Sequence, residues 1–532
     1  MEWTRGWRES AWSDLNQEWD VLIIGGGITG AGILRQCVHS GLKAVLLEAD
    51  DFASGTSSRS SKLVHGGMRY LKNAQILVTL ESVTEREYLL KQGRGLINRL
   101  GFLYPCLAGD KMPGWVFGAG LVVYDLMARQ WSHRSYDTDD MRELCPLLTT
   151  PALRSGFRFF DAQTDDARLV LRLIRESVSG GALALNYARV KSLLKTNAGK
   201  VCGVVAGDTS GVLDRETEVR ARVVINATGA WADQLRDQVG YAPRLRPLRG
   251  SHLIFPYSRL PLTRAITFLH PKDGRPVFVL PWEGAVIFGT TDVDQGQELI
   301  TDPSISDAEA EYLLDSLKFV FPEQELTYAD LIATYSGIRP VVNTGKANPS
   351  KESREHVIWD ENGLLTVSGG KLTTFRIMAR DALKAVRRHL GSIHFDPDIP
   401  VLDPLPLEAE QMLADTHLPP AQCLRLLGRY GINSARAMCA GKVDMDFIPN
   451  TPYIWTELRQ AARAEGVVHL NDLLLRRVRL GLQLPGGGTA VLERVRAIAQ
   501  PELGWDDARW AAEEDAYRRL WTAAYAPRPA AL

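Results

Sequence analysis

The chain has 532 residues, 45% hydrophobic and 23% charged, with a formal net charge of -1 at pH 7. That length exceeds one core, so two or three domains are expected, and the near-neutral balance gives no whole-chain footing for nucleic acid. Six scattered cysteines without a CxxC pair argue against a zinc site or iron–sulfur cluster and suit a reducing compartment. No apolar run reaches the roughly 20 residues of a transmembrane helix.

Residues 1–19 carry Trp3, Trp7, Trp12 and Trp19, lack the apolar stretch of a signal peptide, and read as an extension preceding the fold. The next stretch, DVLIIGGGITGAGILRQCVHSGLKAVLLE (Asp20–Glu48), reads as strand, glycine turn, helix and strand. Gly25 permits the tight turn, Gly27 lets backbone approach a pyrophosphate, and Gly30 lets the helix pack closely on the strand. The pyrophosphate would sit with Ile28 at the helix N-terminus, and Glu48 would accept hydrogen bonds from an adenosine ribose. At this point NAD and FAD are both open.

Asp50–Leu71 follows as a hydroxyl-rich loop at the carboxyl end of a strand, where ligand crevices form. Residues 74–100 predict an amphipathic helix. Gly114–Ala128 is apolar but short and contains Asp125; it reads as a buried core helix, or as a membrane-surface contact. Asp165–Ser179 predicts a helix ended by Gly180 and Gly181, and strands are expected at 183–196, 201–205 and 219–225, the last running into Thr228 and Gly229. From Pro243 to Pro340 strand-like runs and polar turns predict a mostly antiparallel module with one helix at 307–319. Leu364–Ser368, Gly369-Gly370 and a helix from Lys371 to about Leu390 repeat the strand–glycine–helix grammar of the opening. The expected division is therefore an extension (1–19), a discontinuous dinucleotide-binding α/β domain (20–73, 150–245, 341–396), an inserted cap (74–149, 246–340) and a helical domain (397–532). Four prolines in Pro397–Pro406 mark the linker. The helical part shows no cluster of ligands or nucleophiles; it reads as an accessory or oligomerisation domain, which admits a homodimer.

Four groupings could carry chemistry: Ser60–Tyr70, Arg249–His252, Tyr335–Pro340 and Ser368–Thr374. A helix N-terminus behind Gly369-Gly370, with Lys371, would stabilise negative charge on a reduced isoalloxazine, which tilts the dinucleotide towards FAD. Arg69, Arg339 and Lys371, if they converge, make a phosphate or carboxylate site. His252 is suited to general-base work and His65 to shaping a flavin site, although each also reads as a structural histidine. Cys37 reads as packing.

The pattern resembles the FAD-dependent, quinone-linked respiratory glycerol-3-phosphate dehydrogenases. The resemblance rests on IIGGGITGAGI (23–33), TSSRSSKLVHGGMRYL (56–71), RGSHLIFP (249–256), VLPWEGAVIFGTTDVD (279–294), YSGIRPVV (335–342) and SGGKLTTFR (368–376), and more loosely on EGVVHLNDLLLRRVRLGL (465–482). It implies a Rossmann-like FAD domain of the amino-acid-oxidase and glutathione-reductase kind, a mostly antiparallel β substrate domain and an all-α C-terminal domain. It implies oxidation of sn-glycerol 3-phosphate to dihydroxyacetone phosphate, with electrons passed to a quinone by an enzyme attached peripherally to the cytoplasmic membrane. By position, Glu48 binds the ribose; Thr56, Ser57, Ser61, Lys62, Leu63 and His65 line the flavin; Thr228, Gly229, Gly370, Lys371, Leu372 and Thr373 also contact FAD. Arg69, Tyr70, Arg339 and Lys371 face substrate, with His252 above the ring as base and Lys371 or Arg339 stabilising the alkoxide. Arg59 stands where similar sequences often have a small residue, so its loop is expected to differ. Rival readings are a glycerol-3-phosphate oxidase using oxygen, an amine or amino-acid oxidase of this fold, and a non-catalytic flavoprotein.

Overall fold

The computed structural model describes residues 3–68, 76–110, 112–296, 298–346, 352, 355–394, 396 and 399–527. Strands Leu364–Gly369, Glu216–Asn226, Trp19–Ile24, Ala44–Leu47 and Leu183–Leu185 lie side by side and parallel in that spatial order. Where they pair in parallel, residues 21–24, Ala44–Leu47 and residues 223–225 are apolar on both faces because both are covered. On one face, helices Ile28–His39, Asp166–Ser179 and Phe375–Leu390 share a core with Ile23, Leu46 and Ile225. Gly32 lets the first helix close on the last, since a Cβ there would lie 2.8 Å from the Phe375 ring. The other face is covered by the antiparallel strands Ala188–Lys195 and Val201–Asp208 and by helix Trp7–Asp14. Ile24 lies opposite both Leu47 and Asn226, so the strands end level and their loops leave from one edge.

A second sheet runs in the order Val293–Asp294, Leu245–Pro256, Ala285–Gly289, Pro276–Trp282, Ala265–Leu269, Ile97–Leu107, Leu153–Thr164 and Leu63–Val64. Ala333–Val342 pairs along Leu245–Pro256, and the sheet is antiparallel except where Ala265–Leu269 meets Ile97–Leu107. Two expectations are corrected here. The helix expected over 74–100 is Ile76–Gln92; Gly93 and Gly95 (φ 77°) turn the chain, and 97–107 is a strand. The boundary drawn at residue 150 cuts short of Leu153–Thr164, whose hydrogen bonds go to Ile97–Leu107 in the second sheet.

The extension is not a tail ahead of the fold. Trp3 stacks on Phe52 with ring centroids 5.1 Å apart. The Arg8 guanidinium donates to Asp208 at 2.5 Å and to the carbonyl oxygens of Asn186 (2.8 Å) and Tyr187 (2.9 Å). The C-terminal part is helical and shares a core with the second sheet: Leu458, Leu473, Leu480, Trp510 and Tyr517 pack in one cluster with Ile254, Leu280, Trp282 and Tyr335.

That part also reaches the first sheet through buried charge. A π-helical turn, Leu473–Arg477, widens the backbone so that consecutive arginines both turn inward. Arg476 and Arg477 meet Asp51 at 2.5 and 2.6 Å, Arg479 donates to the Ser58 carbonyl oxygen at 2.8 Å, and Arg168 meets Glu465 at 2.6 Å. Burial alone would raise the Asp51 pKa, but Arg477 and Arg476 outweigh it and hold this carboxyl below the ordinary range. Glu465 likewise, despite burial, is lowered by Arg168 and Arg175 from 4.5 to about 2.

Replacing Arg477 by Met leaves Asp51 buried with Arg476 alone. A loss of about 3–5 kcal/mol is expected, measured by urea denaturation; an unchanged midpoint would make the pair dispensable. Glu465 contributes its full stabilisation above pH 4.5 and loses it as pH falls through about 2. Acid melting curves of Glu465→Gln should therefore be flatter across that window than those of the parent chain.

Candidate active site

A cavity of about 910 Å³ lies along the edge where the parallel strands end, between the two sheets. Its wall includes Gly25, Gly27, Ile28 and Glu48 at one end and Gly369, Gly370, Lys371, Leu372 and Thr373 at another. The glycine turn is steric in origin. Gly25 has φ 111° and a Cβ there would lie 2.5 Å from the Ala227 oxygen; a Cβ on Gly30 would lie 1.9 Å from the Gly25 oxygen. Gly30 is therefore a packing position, and it is not on the cavity wall. The Ile28 N–H donates to Ser57 Oγ at 2.9 Å. The Glu48 carboxylate accepts from the N–H groups of Gly26 (2.6 Å) and Asp50 (2.9 Å). Burial pushes Glu48 up to about 7 against those two bonds, so near neutrality it can donate as well as accept.

At the other end, Gly369 and Gly370 have φ 77° and 72°, and one 3-10 turn, Leu372–Thr374, leads into helix Phe375–Leu390. Thr373 Oγ1 accepts from the His65 N–H at 3.1 Å and donates to the His65 oxygen at 3.2 Å, tying the hydroxyl-rich loop to this helix end. The Gly66 N–H donates to Asp161 Oδ1 at 3.1 Å; Asp161 also takes Arg86 (2.7 Å) and the Tyr124 hydroxyl (2.7 Å). Thr56, Ser57, Ser61, Leu63, His65, Thr228 and Gly229 all line the cavity. Thr56 donates to the Ile338 oxygen and Thr228 Oγ1 to Asn226 Oδ1 at 2.7 Å.

A polar corner completes the wall. Arg339 donates to Asp292 Oδ1 at 3.0 Å and to Thr290 Oγ1 at 2.8 Å, and Arg275 approaches Asp292 Oδ2 at 3.7 Å. The Arg339 guanidinium lies over Gly250, where a Cβ would meet Nη2 at 1.9 Å. Lys371 donates to Ser82 Oγ.

Two further expectations change. Lys62 does not line the cavity: its side chain is fully buried, φ is 60°, and its ammonium donates to both Asp166 oxygens at 2.9 Å. Burial, and then Arg479 nearby, lower it to about 7 against the pull of Asp166. His252 is 1% exposed and is not on the wall. Its ring stacks on Tyr335 (4.6 Å, 13°), and Nε2 lies 2.8 Å from Ser61 Oγ, which is on the wall. Burial, with Arg339 and Lys62, pushes its pKa well below the ordinary value, so it is neutral at pH 7. Arg59 is buried, bonded to Tyr525 (3.0 Å), the Thr301 oxygen and Asp302, and joins the loop to the last helix region. Arg69 and Tyr70 lie outside the described residues. Arg275 and an aromatic stretch of wall (Phe102, Tyr104, Phe159, Phe278) were missed. Arg275 borders an ordinary polar turn, and Phe102 and Tyr104 stand in the strand overlooked at 97–107.

Residues 20–388 match the family model described as FAD dependent oxidoreductase, and residues 402–510 match the C-terminal domain of alpha-glycerophosphate oxidase. The chain is 37% identical over 400 residues to an aerobic glycerol-3-phosphate dehydrogenase of Bacillus subtilis, covering 73% of this chain and 71% of that one. It is 33% identical over 522 residues to a glycerol-3-phosphate dehydrogenase of Mycobacterium leprae, covering 94% and 87%. The solved glycerol-3-phosphate dehydrogenase of Bacillus halodurans complexed with FAD superposes with TM-score 0.80 at 26% identity, over 100% of this chain and 99% of that one. The cofactor is FAD, and the cavity fits it: Gly25, Gly27, Gly229, Gly369 and Gly370 line its wall, and helix N-termini stand at both ends.

Gly30→Ala drives a Cβ into backbone that cannot yield. The purified variant should carry far less flavin per polypeptide, read as the ratio of 450 to 280 nm absorbance; full retention would refute the steric account.

Proposed function

This chain belongs to the FAD-dependent glycerol-3-phosphate dehydrogenase family, and we propose from that premise that it oxidises sn-glycerol 3-phosphate to dihydroxyacetone phosphate. Electrons pass to a membrane quinone. The observation that carries the substrate is the polar corner, where Arg275 and Arg339 share one carboxylate, Asp292, with Lys371 on the same cavity wall. Guanidinium forks suit phosphate, and a helix N-terminus beside them adds to the pull on an anion. Arg69 and Tyr70 belong to the same substrate set by position in sequence.

Bound FAD supplies a two-electron acceptor for the hydride from C2. The chain's residues handle the rest. Arg275 and Arg339 hold the phosphate, and Lys371 stabilises charge on the C2 oxygen as its proton leaves. Because His252 is buried behind Ser61, its part is indirect. The C2 hydroxyl passes its proton to Ser61 Oγ while the Ser61 proton moves to His252 Nε2 across 2.8 Å. A neutral imidazole can take that proton, and burial with the nearby cations makes it a weak base, so charge stabilisation on the C2 oxygen has to assist the transfer. Ser57, Glu48 and Thr373 order the loops around the cofactor.

Peripheral membrane contact is supported by a patch of outward apolar side chains. Helix Gly114–Ala128 buries Phe117, Leu121 and Tyr124, but leaves Trp115 76% exposed and Leu126 65% exposed; Leu77 on helix Ile76–Gln92 is 75% exposed. Such a patch marks an interaction surface. Among the described residues no helix is long and apolar enough to cross a membrane. The oxidase name of the matched C-terminal model motivates one rival, delivery of electrons to oxygen.

Anaerobic glycerol 3-phosphate should bleach the flavin, and a soluble quinone should restore its colour faster than oxygen does. Absence of bleaching would overturn the substrate, and faster oxygen reoxidation the acceptor. Arg339→Ala should weaken apparent substrate binding by about 2–5 kcal/mol, measured in the same bleaching titration. Ser61→Ala should slow bleaching by about 10²–10⁴ with flavin content unchanged; an unaltered rate would remove Ser61 from the proton path.

A further inference from the structure

One part of the cavity is left without a role by the polar corner. Phe102 and Phe159 stack there at 5.2 Å, Tyr104 and Phe117 stack at 3.7 Å and 11°, and Phe278 meets Phe102 edge-on at 6.3 Å. These rings lie on the cavity wall. Tyr104 is 3% exposed, and its hydroxyl has no hydrogen-bond partner among the described residues. Buried hydroxyls are normally satisfied, so one left open on a cavity wall marks the place of a ligand atom. Burial also raises the Tyr104 pKa, which keeps the group a donor.

The chemistry of such a corner is selective. A phosphate ester entering it would lose water without gaining a counter-charge. A flat apolar ring gains offset and edge contacts with the surrounding aromatics. If the ring carries carbonyl oxygens and no donors, it needs one donor from the protein, which Tyr104 can supply. We propose that this aromatic corner, walled by Phe102, Tyr104, Phe117, Phe159 and Phe278, seats the ring of a quinone, with the Tyr104 hydroxyl donating to one carbonyl oxygen. The inference rests on the quinone reading of the acceptor above and gives that acceptor a place.

The route in is built from the same helix that carries the exposed patch. Val116, Phe117 and Gly120 of Gly114–Ala128 line the cavity, while Trp115 and Leu126 face outward. A lipid-borne ring can pass along one helix from a bilayer surface to the corner without crossing bulk water. There the quinone would take up two electrons and two protons and become the quinol, both supplied by the two-electron-reduced cofactor when it is bound.

The test uses 2-methyl-1,4-naphthoquinone and the full-length holoenzyme. Tyr104→Phe removes one oxygen and keeps the ring. It should raise the calorimetric dissociation constant of the naphthoquinone about three- to tenfold and slow anaerobic reoxidation of the reduced flavin, while bleaching by glycerol 3-phosphate is unchanged. Gly120→Leu is a second variant: a Cβ there meets no atom within 4 Å, so the fold is spared while the wall fills. It should weaken naphthoquinone binding and leave bleaching intact. Unchanged binding and reoxidation in both variants, with normal reoxidation of the parent enzyme, would overturn the site alone. Failure of the naphthoquinone to reoxidise or bind the parent enzyme would overturn the quinone reading and the site with it.

Discussion

The buried attraction between Asp51 and the arginine pair Arg476 and Arg477 is the constraint on which the remaining geometry depends. Asp51 stands three residues beyond Glu48, at the point where the second parallel strand gives way to the cofactor loop. Pinning it from the far side fixes where that loop starts. Arg479 then takes the Ser58 oxygen, and Lys62 is held on Asp166 a few residues further on. The loop that borders the cavity is thus gripped at three places by charge it does not share with solvent. Each of those ions alone would be costly to bury; together they are satisfied in a single arrangement, which converts a hydroxyl-rich stretch into a rigid wall.

That wall divides the cavity by polarity. The antiparallel sheet brings Arg275, Thr290, Asp292 and Arg339 to one side because Ala333–Val342 pairs with Leu245–Pro256 in a register that sets Arg339 opposite Leu248. The strands Ile97–Leu107 and Leu153–Thr164 bring phenylalanines to the other side. His252 sits behind the first of these regions, dry and neutral, with Ser61 between it and the cavity. The same exclusion of water that weakens His252 as a base strengthens the field of the arginines beside it.

Much of this was legible in the residues. The glycine turn, its strands and Glu48 follow a periodicity and spacing that local sterics enforce, and Gly369-Gly370 repeats the signal. The hydroxyl-rich loop and Arg339 stood out through motif. What sequence obscured has two physical causes. A strand such as Ile97–Leu107, buried by neighbours far away in the chain, shows no alternation, so the preceding helix was read too far. Side-chain direction was the other: Lys62 and His252 sit beside residues of the wall, yet a left-handed backbone at Lys62 and the strand pleat at His252 turn them away from it. Arg275 and the Arg476–Arg477 pair carry no local mark, because their partners are supplied by segments remote in sequence.

The segment around Trp3 and Arg8 adds a long-range constraint. Trp3 stacks on Phe52, and Phe52 lies beneath the glycine turn, where a Cβ on Gly26 would meet it at 2.9 Å. Trp3 also forms a backbone bridge to Glu465. The Trp3 segment is therefore completed by a segment remote in sequence, at Glu465, and Arg8 by Asp208. The support behind the nucleotide turn thus draws on residues at both ends of a very long stretch of chain. Contacts that span so much chain carry a high loop-closure cost, and apolar side chains that depend on them stay exposed until they form.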